Sequence, residues 1–307
     1  MSDRGTPERP SCVVAVAELA AEKRPRFTIA DGVGSMVRRL GDATGLTRMG
    51  VNLREVQPGF FGTHRHWHVV EEEWVYVLSG TGEVRIGPIR APVRAGSFVG
   101  FPPGPRPHHF LARGDAPLLL LEGGERRADD HGYYPDAKRR FGGGKVVDTD
   151  EVLPPEQGDA GQCLHIDDLE PRVFQHDVDP LARRKMRRLE TPTGLVRQAV
   201  VWSRVEAGDR STALHSHERT DEWVFILEGH ARARVGDSSF EVGPGDFVAH
   251  PAGGPAHRME PSEPLVYLMG GQRDADDVIV YPEAGVRRVR GKLVPVGQSL
   301  RANRKGE

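Results

Sequence analysis

Displaced along itself by 149 positions, the 307-residue chain matches without a gap: from Gly59 to His108 against Gly208 to His257, 18 of 50 positions are identical. Arg38-Arg39-Leu40 returns as Arg187-Arg188-Leu189, and Thr44-Gly45-Leu46 as Thr193-Gly194-Leu195. After a two-residue slip, Gly123-Gly124-x-Arg126-x-Ala128-Asp129-Asp130-x-x-x-Tyr134-Pro135 returns as Gly270-Gly271-x-Arg273-x-Ala275-Asp276-Asp277-x-x-x-Tyr281-Pro282. Solenoids have shorter periods and more copies. The pattern is one globular unit duplicated, each half long enough to bury its own core. The expected division is an N-terminal domain over 1–140 with its core at 44–135, a linker over 141–165, and a C-terminal domain over 166–307 with its core at 193–282.

Each copy reads as β. Met49 to Val56, Glu73 to Leu78, Ser97 to Phe101 and Leu118 to Glu122 are short runs rich in Val, Leu and aromatics, bounded by Gly or Pro. Copy two repeats them at Arg197 to Val205, Glu222 to Leu227, Asp246 to His250 and Leu265 to Met269. With 37 Gly and 24 Pro in the chain, long helices are disfavoured. Short helical pieces are expected only at Val33 to Leu40 and Pro180 to Leu189. Asp136 to Ala160 reads as the connection, with Lys145-Val146-Val147 as a candidate strand matching Lys292-Leu293-Val294. Arg301 to Glu307 reads as disordered.

The 42 Lys plus Arg nearly balance 44 Asp plus Glu, so no electrostatic drive toward nucleic acid or membrane phosphates is expected. The basic run Arg183 to Arg188 reads as a solvated helix face. Two cysteines, Cys12 and Cys163, form no metal or disulfide pattern, and the apolar run Cys12 to Ala21 is too short to span a membrane. A cytoplasmic protein without membrane or nucleic-acid partners is expected, with a homo-oligomer left open.

The chemistry-bearing residues recur with the repeat. His66-Trp67-His68, then Glu73 and His108, return as His215-Ser216-His217, Glu222 and His257 at identical spacing. On a strand, residues two apart share a face, so each H-x-H pair points both imidazoles one way. Three neutral nitrogens and one carboxylate suit Mn, Fe, Co, Ni or Zn, and four donors leave open positions for a substrate. A divalent transition metal, up to two per chain, is the expected cofactor.

These motifs resemble those of the cupin superfamily, and the chain resembles a bicupin. Gly59, His66, His68, Glu73 and Gly80 match the first cupin motif, and Gly96, Pro102, Gly104 and His108 the second. Gly208, His215, His217, Glu222 and Gly229, then Gly245, Pro251, Gly253 and His257, repeat them. The spacer before H-x-H is one residue longer than usual, three residues rather than two precede the last His, and Ala112 and Pro261 replace the Asn that often closes motif two. The resemblance implies an all-β fold: two tandem double-stranded β-helix (jelly-roll) barrels, each with a metal inside its wider mouth.

Other residues have two readings each. His64 shares parity with His66 and reads as a proton shuttle or as a solvated His at the strand start. His250, in place of Phe101, reads as a neighbour of the second metal or as a hydrogen-bonded surface His. Trp74 and Trp223 follow the ligand glutamates, so alternation turns them away from the metal, into sheet packing or an inter-domain contact. The repeated Arg-x-Ala-Asp-Asp segment is expected to join barrels or cover an edge without a catalytic role. The expected activity is a metal-dependent oxygenase, a dioxygenase using dioxygen on a small organic substrate. The alternatives are an isomerase, decarboxylase, cyclase or hydrolase using the metal as a Lewis acid, and a non-enzymatic binding bicupin. The aromatics Phe60, Phe61, Trp67, Phe101 and Phe110 favour an apolar or aromatic substrate in the first barrel.

Overall fold

The computed structural model describes residues 10–24 and 32–297. The C-terminal stretch expected to be disordered lies outside them. The two halves build the same set of three antiparallel sheets. In the first half the large sheet runs, in spatial order, through Cys163–His165, Ser97–Phe101, Glu73–Ser79, Leu118–Glu125, Met49–Val56, Ser35–Arg39 and Glu22–Arg24. A three-stranded sheet contains His108–Arg113, Thr81–Ile86 and Ile89–Arg94. A four-stranded one runs Lys145–Asp148, Arg139–Gly142, His131–Tyr134 and Trp67–His68, leaving the histidine-bearing strand at its edge. The second half repeats all three sheets, and the molecule is a pair of tandem jelly-roll barrels.

Strand alternation divides the apolar residues between three cores. Along Glu73–Ser79, Val75 and Val77 turn inward to meet Val56, Val84, Phe101, Phe110 and Leu118. Trp74 and Tyr76 turn outward into a core shared by both halves with Phe98, Leu195, Trp223 and Phe247. Val205, Val224, Val248 and Tyr267 fill the second barrel. The inter-domain contact expected of the two tryptophans is thus formed: their rings stack at 5.1 Å. Each indole lies flat on a glycine of the repeated Gly-Gly pair. A Cβ on Gly123 would stand 2.4 Å from Trp74 Cζ2, and one on Gly270 2.5 Å from Trp223 Cζ2.

Beside the stack the halves exchange caps. The Glu72 carboxylate accepts from the backbone N–H groups of Val196 and Arg197, and Asp221 accepts from those of Thr47 and Arg48. They also exchange strands. Val13–Ala15 pairs with Asp246–His250 of the second barrel, and Cys163–His165 pairs with Ser97–Phe101 of the first. This pairing crosses the sequence division at 140 and 165.

The two expected helices are strands. Val33 to Leu40 gives Ser35–Arg39 followed by a single α-turn, Leu40–Ala43, and Pro180 to Leu189 gives Arg183–Arg188. Pairing with Met49–Val56 and with Gln198–Val205 draws these segments into the large sheets, where neighbouring side chains serve opposite faces. The basic run is accordingly no helix face: the Arg187 guanidinium lies 4.6 Å over the Trp202 ring and that of Arg184 4.6 Å over Phe174. Lys145–Asp148 forms the expected strand, paired with Arg139–Gly142 across a turn in which Gly143 and Gly144 take positive φ, open to glycine at little cost.

Candidate metal centres

The fold brings each predicted quartet to one point. His66 and His108 face each other across an isolated bridge, His68 closes the strand Trp67–His68, and Glu73 opens the next. From Glu73 Oε2, the Nε2 atoms of His66, His68 and His108 lie at 3.7, 3.4 and 3.2 Å. In the second barrel, the Nε2 atoms of His215, His217 and His257 lie 3.3, 3.4 and 3.0 Å from Glu222 Oε2. Two donors about 2.1 Å from one ion and at right angles stand about 3 Å apart, so both quartets have the dimensions of a coordination shell. Glu73 Oε2 is buried yet completes no hydrogen bond within the protein.

The other ring nitrogens show which tautomer is present. Nδ1 of His66 faces His64 O at 2.8 Å, Nδ1 of His108 faces Arg106 O at 3.0 Å, and Nδ1 of His215 faces Ala213 O at 2.9 Å. A carbonyl only accepts, so each Nδ1 carries its proton and, in the neutral ring, Nε2 presents a lone pair to the glutamate. Lone pairs converging on a carboxylate need a cation or a proton between them. Burial holds His66 down at about 3 despite Glu73, so it is neutral and ready to ligate.

His68 and His217 are oriented differently. Nδ1 of His68 donates to Asp130 Oδ2 at 2.6 Å, and Nδ1 of His217 to Asp277 Oδ2 at 2.6 Å. Both aspartates are fixed in turn: Asp130 accepts from the N–H groups of Val70 and Glu71, and Asp277 from that of Arg219 and the Thr220 hydroxyl. A carboxylate behind a ligating imidazole fixes its orientation and raises its basicity. The Arg-x-Ala-Asp-Asp segment, expected from the sequence to join barrels or cover an edge, has another role. Its second Asp instead orients a histidine of the candidate quartet, and the signal for this is its recurrence at the same place in both copies.

A model of the Cupin domain matches residues 52–123 and 201–270. The chain is a bicupin. This bicupin is similar to the oxalate decarboxylase of Lactobacillus farciminis, solved as a formate complex (16% identity, 88% of each chain covered, TM-score 0.59). It is similar also to the Bacillus subtilis oxalate decarboxylase, described with its Mn(II) centres (17% identity, 90% of this chain and 80% of that one, TM-score 0.58). A protein of Acidithiobacillus ferrooxidans provisionally named a sugar phosphate isomerase is 32% identical over 46% of this chain and 93% of its own, with a TM-score of 0.42. No curated protein matches the sequence. Each barrel of the bicupin presents a donor set for a divalent transition metal. Among the described residues no helix is long and apolar enough to cross a membrane.

The bicupin's two centres differ in what surrounds them. A cavity of about 560 Å³ in the first barrel is lined by His66, Glu73 and His108 together with His64, Phe101 and Tyr134. His64 is 6% exposed, not a solvated strand-start residue, and its ring meets Tyr134 edge-on at 6.0 Å. Burial and the Glu73 charge push the Tyr134 hydroxyl up to about 12, keeping it a proton donor at neutral pH. Phe101 stacks on His108 at 3.6 Å. In the second barrel His250 takes that place, stacked on His257 at 3.4 Å, so it is a buried neighbour of the centre and no surface residue. Sequence reasoning missed His176, which meets Tyr281 edge-on at 5.2 Å in the second barrel, as His64 meets Tyr134 in the first. It follows the strand Arg172–Gln175, and the 149-residue displacement sets Phe27 opposite it, so the duplication does not mark it.

Proposed function

We propose that this bicupin is a metal-dependent enzyme for a small organic substrate, with the first barrel as its catalytic site. His66, His68, Glu73 and His108 would hold the metal there, and His215, His217, Glu222 and His257 a second one. Bound in that shell, a divalent metal supplies a Lewis acid that polarises a substrate oxygen. The observation that carries the reading is His64, a buried imidazole in the wall of the same cavity as three of the donors. An imidazole there can take a proton from the substrate or return one, and Tyr134 can hold an oxygen through its hydroxyl. Phe101 and Phe110 form an apolar wall that keeps water from the reacting end.

These groups serve proton-coupled chemistry such as decarboxylation or isomerisation, and we place that class ahead of the dioxygenase reading, which makes no use of His64. The resemblance in fold to oxalate decarboxylases agrees with this ordering. The test is turnover of a panel of oxo acids, dicarboxylates and enediols by the Mn(II)-loaded chain, with dioxygen followed on an electrode. Turnover without oxygen uptake, falling about 10²- to 10⁴-fold in kcat for His64→Ala at unchanged metal content, supports the reading. Oxygen consumed in proportion to product would replace it with the dioxygenase.

A further inference from the structure

The two barrels hold one arginine each in their interiors, at equivalent places but from different strands. In the first, Arg54 donates to the Gly62 carbonyl and to Ser35 Oγ. In the second the pair is exchanged. Ser203 stands at the Arg54 position and Arg184 at the Ser35 position, and Arg184 donates to the Ser211 carbonyl, the counterpart of Gly62. Both guanidinium groups are therefore anchored on the same backbone point.

Their neutralisation differs. Arg54 forms a bidentate pair with Glu122, Nε to Oε2 and Nη2 to Oε1 both at 2.7 Å. The counterpart of Glu122 is Met269. Among the described residues no carboxylate lies within ion-pair distance of Arg184, and its buried Nε completes no hydrogen bond. Around it are two more buried donors in the same condition. Ser203 Oγ, on a residue 0% exposed, and the hydroxyl of Tyr267, on a residue 1% exposed, complete no hydrogen bond of normal geometry. Ser203 and Tyr267 are direct cross-strand partners, Ser203 is paired on its other side with Met186, and both Arg184 and Ser203 border the Tyr267 hydroxyl. The half-buried Arg184 charge has no carboxylate partner among the described residues, and the two buried hydroxyls beside it border that guanidinium and each other, an arrangement that an anionic acceptor would complete. In the first barrel the protein supplies that group as Glu122.

We propose that the second barrel binds a small carboxylate, whose charged group neutralises Arg184 as Glu122 neutralises Arg54 and is held by Arg184, Ser203 and Tyr267. The ligand is a carboxylate because a guanidinium edge flanked by hydroxyl donors reproduces the bidentate Arg54–Glu122 geometry. Met269 packs against the core of the second barrel and carries no charge, so nothing at that position neutralises Arg184. The first barrel, its arginine already neutralised, has no such demand, so the duplicated sites differ in ligand class.

The full-length Mn(II)-loaded chain is titrated calorimetrically with acetate and malonate, with acetamide and inorganic phosphate as comparisons. The expected result is carboxylate binding at one site per chain, absent for acetamide. It weakens at least tenfold in Arg184→Met, and equally in Met269→Glu, which supplies an internal carboxylate. Circular dichroism checks the fold of both, and should Arg184→Met unfold, Met269→Glu alone decides. Affinity unchanged in the folded variants means that the metal alone holds the anion and overturns the proposal. So does acetamide binding as tightly as acetate, or phosphate binding more tightly than either carboxylate. His64→Ala leaves this binding unchanged, so failure of the first-barrel reading is told apart from failure here.

Discussion

Trp74 and Trp223, the residues that follow Glu73 and Glu222, stack at 5.1 Å with their planes 16° apart. The stack is the centre of a core to which both halves contribute, so the barrels are expected to unfold together. It exists because Gly123 and Gly270 leave room for the indoles. Gly123→Ala forces a methyl to within 2.4 Å of Trp74 Cζ2 and 2.9 Å of the Gly50 carbonyl. Overpacking of this kind costs about 1–3 kcal/mol. Denaturant unfolding followed by tryptophan fluorescence should show one transition, displaced by that amount. Two separated transitions, one unmoved, would show that the barrels fold independently.

Asp130 acts on metal affinity through His68. Replacing it with Ala removes the acceptor that fixes the ring and leaves the Val70 and Glu71 N–H groups unpaired. Loss of such a partner typically costs 10- to 100-fold in metal affinity. Competition with a chromophoric chelator should give that loss at one of two sites, and Asp277→Ala the same loss at the other. Equal weakening of both sites by either single change would contradict the assignment.

The two candidate quartets were legible because the duplication works as an internal comparison. His66, His68, Glu73 and His108 persist while neighbours such as Trp67 and Val70 have changed to Ser216 and Arg219. Asp130 was visible as part of a repeated segment, but its role was not. It reaches His68 only because Gly132 pairs with that residue across two strands far apart in sequence. The exchange of Arg54 and Ser35 for Ser203 and Arg184 was equally hidden, since it needs the knowledge that strands Ser35–Arg39 and Met49–Val56 are neighbours with a common inward face. Arg183 to Arg188 failed as a helix because periodicity over six residues, four of them Arg, does not separate the two elements.

Metal loading should release protons. Burial works against a charge on His68, but Glu73 and Asp130 outweigh it and hold the ring up at about 10; Asp277 and Glu222 do the same for His217, also to about 10. Without metal both rings are therefore charged at neutral pH, and the metal must displace one proton from each. Calorimetry at pH 7.5 in buffers of different ionisation enthalpy should report about two protons per fully loaded chain. These folded values lie above the unfolded one, near 6.5. The stability they confer on the metal-free chain is complete below that pH and is lost as pH rises through about 10. In chelator, Tm should fall between pH 7 and 10, and a flat profile with no proton release would mean that both rings are neutral.

The pseudo-symmetry of the interface is broken at the indole N–H groups. Trp74 Nε1 donates to Gln198 Oε1 at 3.1 Å, and Gln198 in turn donates to the Glu72 carbonyl at 2.6 Å. The counterpart of Gln198 is Met49, fully buried, and Trp223 Nε1 has no acceptor. Met49→Gln places an amide where the first indole already has one, with the Asp221 carbonyl in the position of that of Glu72. The two side chains are close in length, so the core volume is nearly kept. A satisfied buried donor is worth about 0.5–1.5 kcal/mol, against the cost of burying the new amide, which its own two bonds offset. The variant should unfold at equal or higher denaturant than the parent, and the reverse change, Gln198→Met, should cost about 1–3 kcal/mol by leaving Trp74 Nε1 unpaired. Should Met49→Gln prove as destabilising as Gln198→Met, the two halves of the interface would not be interchangeable, and the stack would be held by its ring contact alone.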